Sequence, residues 1–113
     1  MEPKFNIWIE INGEVALSGW RLGLLRAVAE TGSINAAAEK LNIQYRVAWQ
    51  KIHEMETRLG VKLLNTQTGG LHGGGAKLTP IGQDYVEKLT RLQAALAPIV
   101  EAKYREIFEA EAA

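Results

Sequence analysis

The side chains best suited to chemistry lie close together near the middle of the chain, in residues 44–50. Arg46 can donate a forked pair of hydrogen bonds to guanine O6 and N7, and Gln50 can pair with adenine N6 and N7. Val47 can contact the methyl group of thymine. A helix that carries these side chains near its start could distinguish base pairs, since each good bidentate pair discriminates by about 1–3 kcal/mol.

A helix over residues 44–59, ended by Gly60, would present these side chains together. With 100° between successive residues, the apolar side chains of this helix lie on one arc of its surface, which predicts the side that faces the core. These side chains are Tyr45, Ala48, Ile52, Met55 and Leu59. The opposite side holds Arg46, Val47, Gln50, His53, Glu54 and Thr57. We predict base contacts from Arg46, Val47 and Gln50 and phosphate or base contacts from Gln44 and Tyr45. A solvated helix face is the alternative for each of them.

Two further helices are predicted before this one. Residues 18–31 carry apolar side chains about every four positions, with Gly32 at the C-cap, and the stripe consists of Trp20, Leu24, Leu25 and Val28. Ser33 can cap a short alanine-rich helix that ends at Leu41. A short helix, a tight turn and a longer polar-faced helix are typical of a helix-turn-helix, although other small helical bundles share this spacing.

A β-hairpin follows the predicted helix-turn-helix. Residues 61–66 and 76–79 have strand character, and the loop between them contains five glycines. The pattern predicts a winged helix-turn-helix, mainly α with a small β part. Cations in or beside this wing could contact phosphates, namely Lys62, His72 and Lys77. Ser33 and Asn35 could hold a phosphate at the start of the second helix, where Ser33 has capping as its alternative role, and Trp49 is expected to pack against the wing.

The ends of the chain predict one strand and one long helix. Residues 4–11 alternate apolar and polar side chains before an Asn12-Gly13 turn. Thr79 and Pro80 begin a helix whose apolar stripe runs to Ile107, longer than one small core can cover. We expect the same helix of a second subunit to cover it, and a helix folded back on its own domain is the alternative. The predicted dimer contacts are Leu89, Leu92, Leu96, Val100, Tyr104 and Ile107.

The predicted organisation is therefore a DNA-binding domain over residues 1–79 and a dimerisation helix over residues 80–113. The helix-turn-helix spans about 33–59 and the wing about 61–79. Formal net charge is zero, but residues 33–79 carry six basic and three acidic side chains, a net charge of +3. The acidic flanks therefore conceal a basic centre.

Other classes of protein are disfavoured by composition. Cysteine is absent, and no apolar run approaches the roughly 20 residues of a membrane span. The N-terminus lacks the layout of a signal peptide, so we expect a cytoplasmic protein without membrane contact. The glycine-rich loop fails as a nucleotide-phosphate cradle, because Lys77 is displaced by one position and no hydroxyl residue follows it. We predict no enzyme activity, cofactor or metal.

Specific motifs point to a family. The glycine-rich region contains Thr66-Gln67-Thr68-Gly69-Gly70, then Gly73-Gly74-Gly75-Ala76, then Leu78-Thr79-Pro80 with Gly82. This pattern resembles the wing and the following helix of the ModE-type molybdate-responsive regulators. Their helix-turn-helix, which is related to that of LysR-type regulators, is similar to Gly32-Ser33-Ile34, Ala36-Ala37-Ala38 and Tyr45-Arg46-Val47-Ala48-Trp49 with Met55. The resemblance covers nearly the whole chain.

The resemblance implies sequence-specific binding to double-stranded DNA and transcription regulation by a homodimer with recognition helices about 34–36 Å apart. Gln44 and Leu71-His72 depart from the family pattern, so we expect a different operator sequence. Full-length regulators of this type carry a C-terminal molybdate-binding region, whereas no oxyanion pocket is evident in this sequence. The resemblance therefore implies the DNA-binding half alone, either as a single-domain relative or with a separate effector-sensing protein as its partner. The alternative is a protein-interaction module that uses the long helix and does not bind specific DNA.

Overall fold

The computed structural model describes residues 1–67 and 75–109, and its elements follow the predicted order. Three helices form a compact group, each strand pair is an antiparallel two-stranded sheet, and the longest helix comes last. The predicted fold class, a winged helix-turn-helix with a long C-terminal helix, is confirmed. In chain order the elements are β1 (Trp8–Ile11), β2 (Glu14–Ser18), α1 (Gly19–Thr31), α2 (Ile34–Leu41), α3 (Tyr45–Leu59), β3 (Leu64–Gln67), β4 (Gly75–Leu78) and α4 (Pro80–Tyr104).

Local capping signals explain where these helices begin and end. The Ser33 hydroxyl accepts the Ala36 N–H at 2.9 Å, and the Thr79 hydroxyl accepts the Gly82 N–H at 3.0 Å. Gly32 and Gly60 end α1 and α3 with φ of 85° and 71°, a left-handed conformation that glycine adopts without strain. The predicted boundaries of the first three helices are confirmed to within one residue.

The core lies among α1, α2 and α3 and is closed by residues from the wing and α4. On α3 it takes up Ala48, Ile52 and Met55, as the apolar arc predicted. Two aromatic residues assigned to core-facing stripes are instead largely in solvent, Trp20 at 47% and Tyr45 at 50% exposure. Both lie at the edge of the apolar face of their helix, where a large ring can pack partly on the domain and stay partly exposed to solvent.

The N-terminal region is a hairpin and not a single strand. β1 covers only the second half of the predicted strand, and β2 was not predicted. Asn12 and Gly13 have φ of 53° and 80°, as a tight hairpin turn requires. The Arg58 guanidinium donates to the Val15 carbonyl oxygen at 2.6 Å and to the Glu14 carboxylate at 2.8 Å, which attaches this hairpin to α3.

The wing begins later than predicted, because β3 starts at Leu64 and not at residue 61. Leu63 is buried, and its carbonyl oxygen accepts the Thr79 N–H at 2.9 Å. The Ala76 N–H donates to the Gly32 carbonyl oxygen at 2.8 Å, which ties the wing to the turn between α1 and α2. Residues 68–74 lie outside the described residues, so the prediction for His72 falls there too.

Helix α4 packs on the domain at its start and then extends away from it. Leu89 is only 2% exposed and belongs to the protomer's own core, so its assignment to a dimer interface is corrected. Leu92 and Ile99 are 41% and 56% exposed. The described chain measures 65 × 29 × 22 Å with a radius of gyration of 17.5 Å, against about 13 Å for a globular domain of this length.

The far part of α4 is accompanied by the N-terminus. The Tyr104 hydroxyl lies 3.4 Å from the Met1 carbonyl oxygen, and Pro3 and Ile7 are half-buried. Leu96, Val100 and Tyr104, on the same side of α4, are also half-buried. A single π-helical turn, Arg105–Glu109, follows α4. Within residues 1–67 and 75–109, no helix has the length and apolar character needed to cross a bilayer.

Candidate nucleic-acid interface

The outward side of α3 carries four exposed polar side chains within an arc of about 60° at 100° per residue. They are Arg46, Gln50, His53 and Thr57. Val47 is half-buried beside them. Because Ala48, Ile52 and Met55 fix the opposite side in the core, this arc has to face away from the domain.

The connection from α2 sets the start of α3. Asn42 adopts a left-handed conformation with φ of 56°, and the Ile43 N–H donates to the Ala38 carbonyl oxygen at 3.0 Å. Ala37 and Ala38 are fully buried, and their small side chains allow α2 to approach α3 closely. Gln44 is the N-cap residue of α3 but makes no capping hydrogen bond with its exposed side chain. Its side-chain amide is therefore available to bind a ligand at the start of α3, close to Arg46.

Glu54 does not belong to the outward side, where the helical wheel placed it. Its carboxylate lies 3.0 Å from Arg21 Nη2, 3.6 Å from Lys51 Nζ and 3.7 Å from Arg58 Nη1. The hydrogen bond from Arg21 lowers the pKa of Glu54, and the charges of Lys51 and Arg58 act in the same direction. The acidic side chain nearest to the outward arc is thereby turned towards α1 and neutralised by internal cations.

A groove of about 320 Å³ separates the start of α2 and one flank of α3 from the wing. It brings together four residues that the sequence assigned to phosphate or base contacts, namely Ser33, Asn35, Tyr45 and Lys62. His53, Thr66 and Gln67 also line this groove, although their sequence positions predict no contact role for them. Helical and strand spacing could not predict that these residues come together, because their proximity depends on how the wing folds back towards α3.

Trp49 stands on the groove side of α3 and was expected to pack against the wing. Its ring stacks on His53, with ring centroids 3.7 Å apart and an angle of 23° between the planes. The two residues are one helical turn apart, a spacing that places side chains next to each other. This aromatic pair could have been anticipated from spacing alone.

The other predicted contact residues lie in different settings. Ser33 uses its hydroxyl to cap α2, which is the alternative role that the sequence left open. Lys77 lies on β4 and lines a second, smaller groove with Gly32 and Asn65. Lys62 and Lys77 therefore line different grooves beside the wing.

Charge is distributed so that a neutral chain keeps a basic surface. Among residues 1–67 and 75–109, Arg46, Lys62 and Lys77 are exposed and take part in no ion pair. Glu56 lines the groove, but its carboxylate accepts the N–H groups of Leu63 and Leu64 at 2.8 and 3.2 Å. Within the described part of the chain, no group of three or more metal-ligating side chains comes together.

Three core helices, an outward-facing third helix and a two-stranded hairpin together define a winged helix-turn-helix protein. Residues 21–83 match the family described as bacterial regulatory helix-turn-helix protein, lysR family. The chain belongs to this family.

Curated relatives include regulators named ModE, the type that the sequence motifs indicated. The chain is 38% identical to the transcriptional regulator ModE of Yersinia pestis over 92% of its own length and 38% of that protein. It is 34% identical to the molybdenum-pterin-binding protein MopB of Rhodobacter capsulatus over 73% of its own length and 30% of that protein. The chain thus spans about a third of these relatives, and its resemblance to ModE-type regulators is confirmed.

Solved structures of related domains include complexes with DNA. The chain is similar to the CbnR DNA-binding domain in its complex with DNA, with a TM-score of 0.57 and 29% identity over 77% of this chain and 93% of that one. It is also similar to the BenM DNA-binding domain in complex with benA site 1 DNA, with a TM-score of 0.56 and 27% identity over 79% of this chain and 94% of that one.

Proposed function

We propose that this chain binds double-stranded DNA in a sequence-specific way and regulates transcription in the cytoplasm as a homodimer. One observation carries the proposal: the outward side of α3 exposes Arg46 next to Gln50, and Arg46 forms no ion pair within residues 1–67 and 75–109, while Glu54 is held in ion pairs with Arg21, Lys51 and Arg58. The side chains left on this surface are those whose donors and acceptors match base edges. The named DNA complexes of CbnR and BenM support the same assignment.

The groove beside the wing supplies the second part of the interface. Asn35 and Lys62 offer donors to phosphates, and the exposed amide of Gln44 extends this set at the start of α3. Phosphate contacts fix the position of a protein on the duplex, whereas base contacts give it sequence preference. In this proposal Asn35, Gln44 and Lys62 contact phosphates and fix the position of the protein on the duplex. Arg46 and Gln50 contact base edges and give the protein its sequence preference.

The double substitution Arg46→Ala plus Gln50→Ala tests the base contacts. We expect about a 10- to 100-fold loss of affinity for a duplex from the upstream region of the protein's own gene, the loss of one or two good base contacts. Affinity for an unrelated duplex should change much less, because only Arg46 contributes charge. The measurement is fluorescence anisotropy of labelled duplexes at two salt concentrations, since phosphate contacts make affinity fall with salt.

A matched control removes the same side-chain types from α4. Gln83 and Arg91 are both exposed, and Gln83→Ala plus Arg91→Ala should leave the affinity for both duplexes within about twofold. If the wild type shows no salt-dependent binding, or if the α3 variant and its control behave alike, the proposal is wrong. The interaction-module alternative would then be favoured.

The homodimer proposal rests on one exposed apolar strip of α4. Ile81, Leu92 and Ile99 project within an arc of about 20° at 100° per residue and are 47%, 41% and 56% exposed. Leu96, Val100 and Tyr104 are half-buried already, and Ile107 is 64% exposed near the helix end. Burying such a strip against a second copy removes apolar surface that a soluble monomer rarely keeps exposed.

Placing charges on this strip should separate the subunits. We expect Leu92→Glu plus Ile99→Glu to change the mass in solution from two chains to one, measured by sedimentation equilibrium, because paired carboxylates are not tolerated in an apolar interface. Gln83→Glu plus Ala94→Glu adds negative charge to a different side of α4 and should remain a dimer. A monomeric wild type, or dimers of both variants, would rule out this interface. Control by a separate effector-sensing protein stays a prediction from the sequence.

A further inference from the structure

The stacked pair of Trp49 and His53 fixes which nitrogen of the imidazole ring is available. His53 Nδ1 lies 3.1 Å from the Trp49 carbonyl oxygen. A carbonyl oxygen only accepts hydrogen bonds, so Nδ1 must carry a hydrogen atom. In the neutral ring Nε2 is then a lone-pair acceptor, and it becomes a donor only when the ring takes up a proton.

The groups that share the groove with His53 come from α2, from α3 itself, from the segment before β3 and from the wing. Asn35, at the start of α2, is uncharged, and α3 itself contributes Tyr45 and Glu56. Glu56 already accepts two backbone N–H groups, and Lys62 supplies a cation from the segment before β3. The described wing residues on this groove are uncharged, namely Leu64, Thr66, Gln67, Gly75 and Ala76.

An anion fits these surroundings better than a base edge does. His53 lies two turns into α3, beyond the positions next to the helix start that reach base edges when such a helix enters the major groove. It also shares a groove with Lys62 and the first turn of α2, groups that suit a phosphate. The indole face of Trp49 stabilises a positively charged ring stacked on it.

We propose that His53 binds a backbone phosphate of the DNA in its protonated form, so that complex formation takes up a proton at Nε2. This inference rests on the proposed DNA binding. A neutral His53 would direct the lone pair of Nε2 at phosphate oxygens, which are acceptors as well, and only the imidazolium can donate. Affinity for DNA therefore rises as the pH falls through the range in which histidine changes charge, about pH 5–8.

The test is the pH dependence of the anisotropy titration at constant salt. We expect the wild type to bind about fivefold more tightly near pH 6 than near pH 8, the size of one charge-assisted contact. His53→Gln should remove this dependence while the preference for the specific duplex remains. The matched control is Arg91→Gln, which removes an exposed cation from α4, outside the proposed DNA interface. It should keep the pH dependence of the wild type.

The duplex sequence distinguishes a phosphate contact from a base contact. Because phosphate contacts do not depend on sequence, the same pH dependence is expected on specific and unrelated duplexes. A dependence confined to the specific duplex, one that persists in His53→Gln, or specific binding that is indifferent to pH would each overturn the inference and leave the proposed function standing. Absence of DNA binding at every pH would overturn both.

Discussion

Substitution of Gly82 by alanine should lower the free energy of unfolding by about 3 kcal/mol, the cost of forcing atoms into a closely packed site. A Cβ atom at this position would lie 2.4 Å from the Leu63 carbonyl oxygen and 3.2 Å from the Leu63 Cα. The carbonyl cannot easily move, because it accepts the Thr79 N–H at 2.9 Å. Either α4 must shift away from the wing or the cap of α4 must break.

The control for this prediction is another helical glycine. A Cβ atom at Gly23 in α1 would meet no atom within 4 Å. Gly23→Ala should therefore raise stability by about 0.5–1 kcal/mol, because alanine loses less backbone entropy in a helix. Urea unfolding of both variants at one protein concentration measures the two effects. Equal changes in the two variants would show that the contact with Leu63 is not the cause.

Removal of the Glu54 carboxylate should be almost as costly. Arg21 is only 8% exposed, and Glu54→Ala leaves its guanidinium buried without the partner that lies 3.0 Å away. We expect a loss of about 2–4 kcal/mol, because the desolvation cost of the cation is no longer offset. As a control, Asp84→Ala breaks an ion pair with Lys88 whose side chains are 53% and 66% exposed, and it should change stability by less than about 1 kcal/mol.

The same carboxylate predicts how stability depends on pH. The pKa of Glu54 is lowered in the folded state, chiefly by the hydrogen bond from Arg21. Its contribution is therefore complete above the pKa of an unfolded glutamate, about 4.3, and is lost as the pH falls through the lower folded pKa. The difference in stability between wild type and Glu54→Ala should shrink on acidification. A difference that stays constant down to about pH 3 would contradict this role.

The sequence was most informative where structure depends on neighbouring residues. Ser33, Gly32 and Gly60 mark helix ends through hydrogen bonds and backbone angles that involve only adjacent turns, and these boundaries are confirmed. The Asn12-Gly13 pair carried a hairpin signal of the same local kind. A turn of this type implies a returning strand as well, so β2 could have been predicted from the same two residues.

Contacts between distant parts of the chain could not be predicted in this way. On a helical wheel Glu54 and Gln50 are equivalent polar positions, and only Arg21, 33 residues away, decides that Glu54 turns inward. Leu89 likewise fits the apolar stripe of α4 as well as Leu92 does. The packing of the first turns of α4 on the core separates a buried residue from an exposed one.

The hydrogen bond from the Ala76 N–H to the Gly32 carbonyl oxygen joins main chain to main chain. Such a hydrogen bond does not depend on the side chains of the hairpin, except that position 76 needs a small residue because Ala76 is only 4% exposed. Exposed hairpin positions such as Asn65 and Lys77 can therefore accumulate mutations without moving the hairpin. Evolution can in this way change, one position at a time, what the surface recognises, while the backbone of the hairpin stays in place.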